Sequence, residues 1–132
     1  MRLFIPIAAV VIMAGCAPPK MTVEERENVC GYQPDQGQAE VAVQGWVDHG
    51  GLKDPSSAQV RDIQVLSRGG IQNGLLNGGE WRYGWIISFE CNAKNSYGAY
   101  IGFRRRYLIW NKGQTWWLNS VTGDDPRAPS PM

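Results

Sequence analysis

Apolar residues recur along this chain with two periods, and the switch between them divides it. From Gln36 to His49, Ala39, Ala42, Val43, Trp46 and Val47 return at spacings of three and four. Gln38, Glu40, Gln44 and Asp48 fall largely elsewhere on the wheel. This period predicts an amphipathic helix, stopped by Gly50-Gly51 as expected of a glycine at a helix end. From Glu80 to Cys91 the period becomes two. Trp81, Tyr83, Trp85, Ile87, Phe89 and Cys91 share one face of a strand, and Arg82, Gly84, Ile86, Ser88 and Glu90 share the other. A second long strand is predicted over Ala99 to Trp110, with Ile101, Phe103, Tyr107 and Ile109 on one face. Asn111-Lys112-Gly113-Gln114 turns the chain into a last strand over Thr115 to Val121. Trp116 and Trp117 are adjacent and point to opposite sides, so at most one joins a helix-covered core.

The remaining segments are less regular. Asp54 fits a helix N-cap and Pro55 the first helical position, which predicts a short helical turn. A strand follows over Val60 to Leu66. Its facing is ambiguous: strict alternation puts Val60, Gln64 and Leu66 on one side and Ile63 and Val65 on the other. Gly69 to Gly79 is rich in Gly and Asn and reads as a loop or irregular hairpin. Asn92 to Gly98 reads as a polar turn. The expected fold class is α+β, one N-terminal helix packed on an antiparallel meander of about four strands, with an open barrel as the alternative.

Ahead of the helix the pattern changes character. Arg2 precedes a nearly continuous apolar run from Leu3 to Ala14, interrupted only by Pro6. The run is too short for a spanning helix of roughly 20 residues and suits a signal h-region. It ends in Met13-Ala14-Gly15-Cys16, which resembles the lipobox of bacterial lipoprotein precursors, although Met13 stands where Leu is preferred. The resemblance implies cleavage before Cys16, a diacylglycerol thioether on its sulfur and an acyl chain on its amine. Each buried methylene adds about 0.8 kcal/mol, and stable anchoring takes two or more chains. Ala17, where an Asp often retains such proteins in the inner membrane, implies outer-membrane sorting with the protein facing the periplasm. The expected organisation is a signal peptide over 1–15, a lipidated tether over 16–33, a helix-plus-sheet domain over 34–122 and a disordered tail over 123–132. The charged run Glu24-Glu25-Arg26-Glu27 fits a solvated tether.

Composition narrows the picture further. The 132 residues, less the first 15, suffice for a single core. Six Trp and 16 Gly favour a sheet with tight turns over a helical bundle. The formal net charge of +1 falls to zero when Arg2 leaves with the signal, which argues against a nucleic-acid partner. With Cys16 taken by lipid, Cys30 and Cys91 remain as an even pair in an exported chain. A disulfide is expected, worth roughly 4 kcal/mol by loop-closure entropy. Metal binding is the rival, but two distant Cys and one His fall short of a four-ligand zinc set.

No enzyme motif is present, and neither a metal nor a cofactor is expected. His49, the one His, sits beside Asp48 at a helix end, where the dipole favours it, without a nucleophile in sequence reach. Arg104-Arg105-Arg106 on a strand splits into Arg104 and Arg106 on one side and Arg105 on the other. Arg105 is the anomaly, explained by a strand bend or by a carboxylate that holds it. Two segments resemble a group of small proteobacterial envelope proteins. They are Leu52-Lys53-Asp54-Pro55-Ser56-Ser57-Ala58 and Cys91 to Phe103, matching "LKDP-x-SA" and "NAKN-x-x-G" patterns, with departures around Cys91-Asn92 and at Ala99. The group brings no assigned activity, so no functional residue is carried over. The expected function is a non-catalytic, lipid-anchored envelope protein that binds a partner or supports an assembly. The alternative is a peptidoglycan- or glycan-binding module on the open sheet face. The candidate interaction residues are Asn92, Lys94, Asn95, Arg104, Arg106 and Trp116.

Overall fold

The computed structural model describes residues 19–72, 79–117 and 129–132. The expected signal peptide, Cys16 and part of the tail lie outside them. The chain is α+β: α1 (Val23–Cys30), α2 (Gln36–His49), a 3-10 turn (Pro55–Ser57), then β1 (Gln59–Gln72), β2 (Trp81–Asn92), β3 (Arg104–Asn111), β4 (Gln114–Trp116) and β5 (Ser130–Pro131). The strands form one sheet in the order β4-β3-β2-β1-β5, with every neighbouring pair antiparallel. The described residues thus hold two helices and five strands where one helix and about four strands were expected. Among them no helix is long and apolar enough to cross a membrane.

α2 has the expected bounds. Asp35 caps it reciprocally: its carboxylate accepts from the Gln38 N–H at 2.7 Å, and the Gln38 side chain accepts from the Asp35 N–H at 3.0 Å. At the other end Gly50 has an ordinary φ of −79°. Its requirement is space, since a Cβ there would overlap the Trp46 carbonyl and indole. The left-handed backbone falls on Gly51, at φ +89°. Ala39, Ala42, Val43, Trp46 and Val47 pack on Ile87, Phe89, Cys91, Leu108 and Trp110 of the sheet. The opposite sheet face gathers a smaller cluster of Ile71, Ile86 and Ile109. The two tryptophans divide as expected, Trp117 against the helix-covered core and Trp116 against the second cluster.

β1 differs most from expectation. It runs 14 residues, through Gly69 and Gly70 rather than stopping at Leu66. Its pairing with β2 slips between Arg61 and Gln64 and again between Val65 and Arg68. Asp62 takes a left-handed backbone at φ +55°. These bulges resolve the ambiguous facing. Val60, Ile63 and Val65 all reach the helix-covered core because the first bulge inserts one extra residue between Val60 and Ile63. The bulges also break up an outer edge that β5 covers only at Gly69 and Gly70.

Both ends of the described chain are corrected. From Val23 onward the supposed tether is a helix docked on the sheet. The Thr22 hydroxyl accepts from the Glu25 N–H, and the Glu25 carboxylate accepts from the Thr22 N–H. Charged residues that read as solvated therefore cap a helix and favour its dipole. The free carbonyls at its C-terminal end find donors on the sheet: Asn111 Nδ2 donates to Val29 O at 2.6 Å, and Trp85 Nε1 donates to Gly31 O at 3.1 Å. The tail, expected to be disordered, adds β5, with Pro129 buried and the Met132 N–H bonded to Arg68 O. It docks there because Gly69 presents bare backbone, where a side chain would strike Ile86 and Ser130 O. β3 begins at Arg104 rather than Ala99, and Ile101 and Phe103 belong to the preceding loop.

Candidate functional site

Cys30 and Cys91 form no bridge in the structure; both are free and buried. The Cys30 thiol lies against the backbone of Gly69 and Gly84, with its sulfur 3.6 Å from Met132 Sδ. Cys91 sits seven positions beyond Gly84 along β2. At about 3.3 Å per residue that is roughly 23 Å, whereas a disulfide needs Cα atoms within about 7 Å. Sequence counting paired two thiols that lie at well-separated points along β2, Cys30 of α1 against Gly84 and Cys91 seven residues on. Burial pushes both thiols up from their ordinary values. Among the described residues no cluster of His, Cys, Asp and Glu could hold a metal ion, and His49 is exposed on the last turn of α2.

The two motif segments meet each other. The Ser57 hydroxyl donates to Asp54 O at 2.7 Å and accepts from the Lys94 N–H at 2.9 Å. The Tyr100 hydroxyl donates to Ser57 O at 3.0 Å. Lys94 and Tyr100 close the base of the loop by an isolated bridge, with the Lys94 ammonium 5.5 Å from the Tyr100 ring centre. Asn95 shapes the tip, its side-chain oxygen accepting from the N–H groups of Tyr97 and Ala99. Asn92 is 8% exposed and accepts from the Gly102 N–H at 3.0 Å. It is thus a buried support for the loop rather than a contact residue.

Beside this junction lies a cleft of about 270 Å³. Lys53 comes from one motif and Lys94, Asn95 and Ile101 from the other; Arg104 and Arg106 come from β3, and Trp46 forms part of the floor. Four of the six candidate interaction residues, Lys94, Asn95, Arg104 and Arg106, therefore share one site. The Arg106 guanidinium lies 5.8 Å from the Trp46 ring centre, and its Nε is buried without a hydrogen-bond partner. Burial, then the charge of Arg104, pushes the Arg106 pKa down. No carboxylate lines the cleft among the described residues.

Trp116 stands apart on the second sheet face, with the Arg82 guanidinium 5.5 Å from its ring centre. The cations of that face have carboxylate partners. Arg105 reaches Asp62 at 2.7 Å and Glu90 at 3.4 Å, Arg61 reaches Glu90 at 2.7 Å, and Arg82 reaches Glu80 at 3.0 Å. Arg105 is thus held by carboxylates, one of the two explanations its sequence position allowed. Sequence reasoning gave no role at the site to Trp46 or Lys53. Lys53 had a signal, its place in the first motif; Trp46 had none beyond its core spacing. No family model, curated protein or solved structure matches this chain.

Proposed function

We propose that this chain is a lipid-anchored protein of a bacterial envelope that binds a partner and carries out no chemistry of its own. The lipobox-like Met13-Ala14-Gly15-Cys16 supports the anchor, and Ala17 after it supports an outer-membrane, periplasm-facing location. The observation that carries the binding reading is the meeting of the two motif segments at Ser57, Lys94 and Tyr100, beside a cationic cleft. Their hydrogen bonds shape a loop whose tip presents Tyr97 at 95% exposure, with Ile101 exposed nearby. A large aromatic held in water on a hydrogen-bonded loop suits contact with a partner. Glycan binding on the second face has less support, because the Arg82 guanidinium already overlies the Trp116 ring.

A photo-crosslinking residue at position 97, in intact cells, tests this. A discrete adduct is expected in the membrane fraction, and Cys16→Ser is expected to release the chain from that fraction. Absence of any discrete adduct counts against the partner. Membrane retention and normal maturation of the Cys16→Ser chain count against the anchor.

A further inference from the structure

We infer that the cleft between the two motif segments and β3 binds a phosphate ester. This goes beyond the partner-binding reading: it shares the same junction but stands on the cleft itself.

Charge is the first argument. Lys53, Lys94, Arg104 and Arg106 reach the cleft from three separate stretches of chain. On the second sheet face Arg61, Arg82 and Arg105 are each matched by a carboxylate. Lys53 and Arg106 make no ion pair with any described residue. Converging cations in a concave site raise the local concentration of anions.

Arg106 supplies the second. Its buried Nε–H lacks an acceptor, as do those of Arg26, Arg68 and Arg82, but its guanidinium also faces the like charge of Arg104. A buried donor without an acceptor is costly, and an anionic oxygen relieves both the missing bond and the repulsion. The donors come from separate segments, the two lysines from the motif segments and the two arginines from β3. A tetrahedral oxyanion presents oxygens in several directions, whereas a carboxylate offers two oxygens in one plane. Guanidinium forks match phosphate oxygens bidentately.

Shape supplies the third. Trp46, Leu52 and Ile101 give the cleft an apolar side that a bare ion would leave unused, which favours an ester with a carbon arm over inorganic phosphate. At about 270 Å³ the cleft falls just below the roughly 300–1,000 Å³ of complete small-molecule sites. It therefore takes a head group while the rest of the ligand stays outside. An anionic phospholipid and a soluble phosphate ester share this chemistry.

The test uses the full lipidated protein in a neutral detergent, titrated calorimetrically with short-chain phosphatidylglycerol, glycerol 1-phosphate, inorganic phosphate and hexanoate. At least one ester is expected to bind tenfold or more tightly than inorganic phosphate or hexanoate. Tighter binding of the phospholipid assigns a lipid source, and equal or tighter binding of glycerol phosphate assigns a soluble one. Arg106→Gln is expected to weaken ester binding tenfold or more, and Arg82→Gln on the other face to leave it unchanged. Lys53→Gln, at an exposed position, repeats the test should Arg106→Gln fail to fold. Absence of ester binding, binding equal to that of hexanoate, or binding untouched by both cleft variants overturns the inference. An adduct at position 97 that persists alongside failed titrations leaves the partner reading standing without this ligand. Ester binding without an adduct removes the protein partner and keeps the ligand.

Discussion

The Trp46 indole meets the Phe89 ring edge-on, with centroids 5.0 Å apart and planes inclined at 67°. This contact ties α2 to the centre of the sheet. Phe89 is fully buried, and the same indole carries the Arg106 guanidinium, so core packing and the wall of the cleft share one side chain.

Phe89→Ala is therefore expected to cost about 3–5 kcal/mol of stability, through lost transfer free energy and the cavity left behind. Chemical denaturation measures it. A loss below about 1 kcal/mol, within the range of volume-conserving core swaps, shows that this contact does not secure the helix.

Acid sensitivity is expected from Asp62. Its hydrogen bond from Arg105 holds its pKa below the ordinary aspartate value, with smaller contributions from Gln64 and from the charges of Arg105 and Arg61. A carboxyl whose pKa is depressed by folding stabilises the fold above its unfolded pKa. The contribution is lost as pH falls through the folded value. Stability should thus decline below the ordinary aspartate range, and Asp62→Asn should flatten that part of the decline. Melting temperatures across the acid range report it. A variant profile parallel to the wild-type one throughout removes this role from Asp62.

The thiols give a third expectation. The thiolate is the reactive form, and burial disfavours it at both cysteines. Alkylation of the native protein at neutral pH should leave Cys30 and Cys91 unmodified. Unfolding without reductant should then expose both to labelling. Chain isolated from cells that requires reduction before these cysteines label would restore the disulfide.

Much of the architecture was legible in local pattern. The limits of α2 follow from an apolar stripe at helical spacing and Gly50-Gly51. β2 follows from six consecutive odd-numbered apolar positions. The turn at Lys112-Gly113 and the opposed facing of Trp116 and Trp117 were also readable, because each depends on near neighbours. At the site, the split of Arg104 and Arg106 from Arg105 followed from strand alternation alone.

Distance along the chain marks what was not legible. Strict alternation fails in β1 because its bulges are defined only against β2. The helical segment Val23–Cys30 lacks an apolar stripe and is secured by Trp85 and Asn111. The tail becomes β5 because bare backbone at Gly69 lets it approach. The same cause placed the cysteines, which counting made a pair and β2 holds apart. Lys53, Lys94 and Arg106 are separated in sequence and carry no shared period. Local period and capping, expressed within a few residues, determined the helix and the strands. Only the packed sheet decided which side chains converge, because a contact across tens of residues leaves no trace in local spacing.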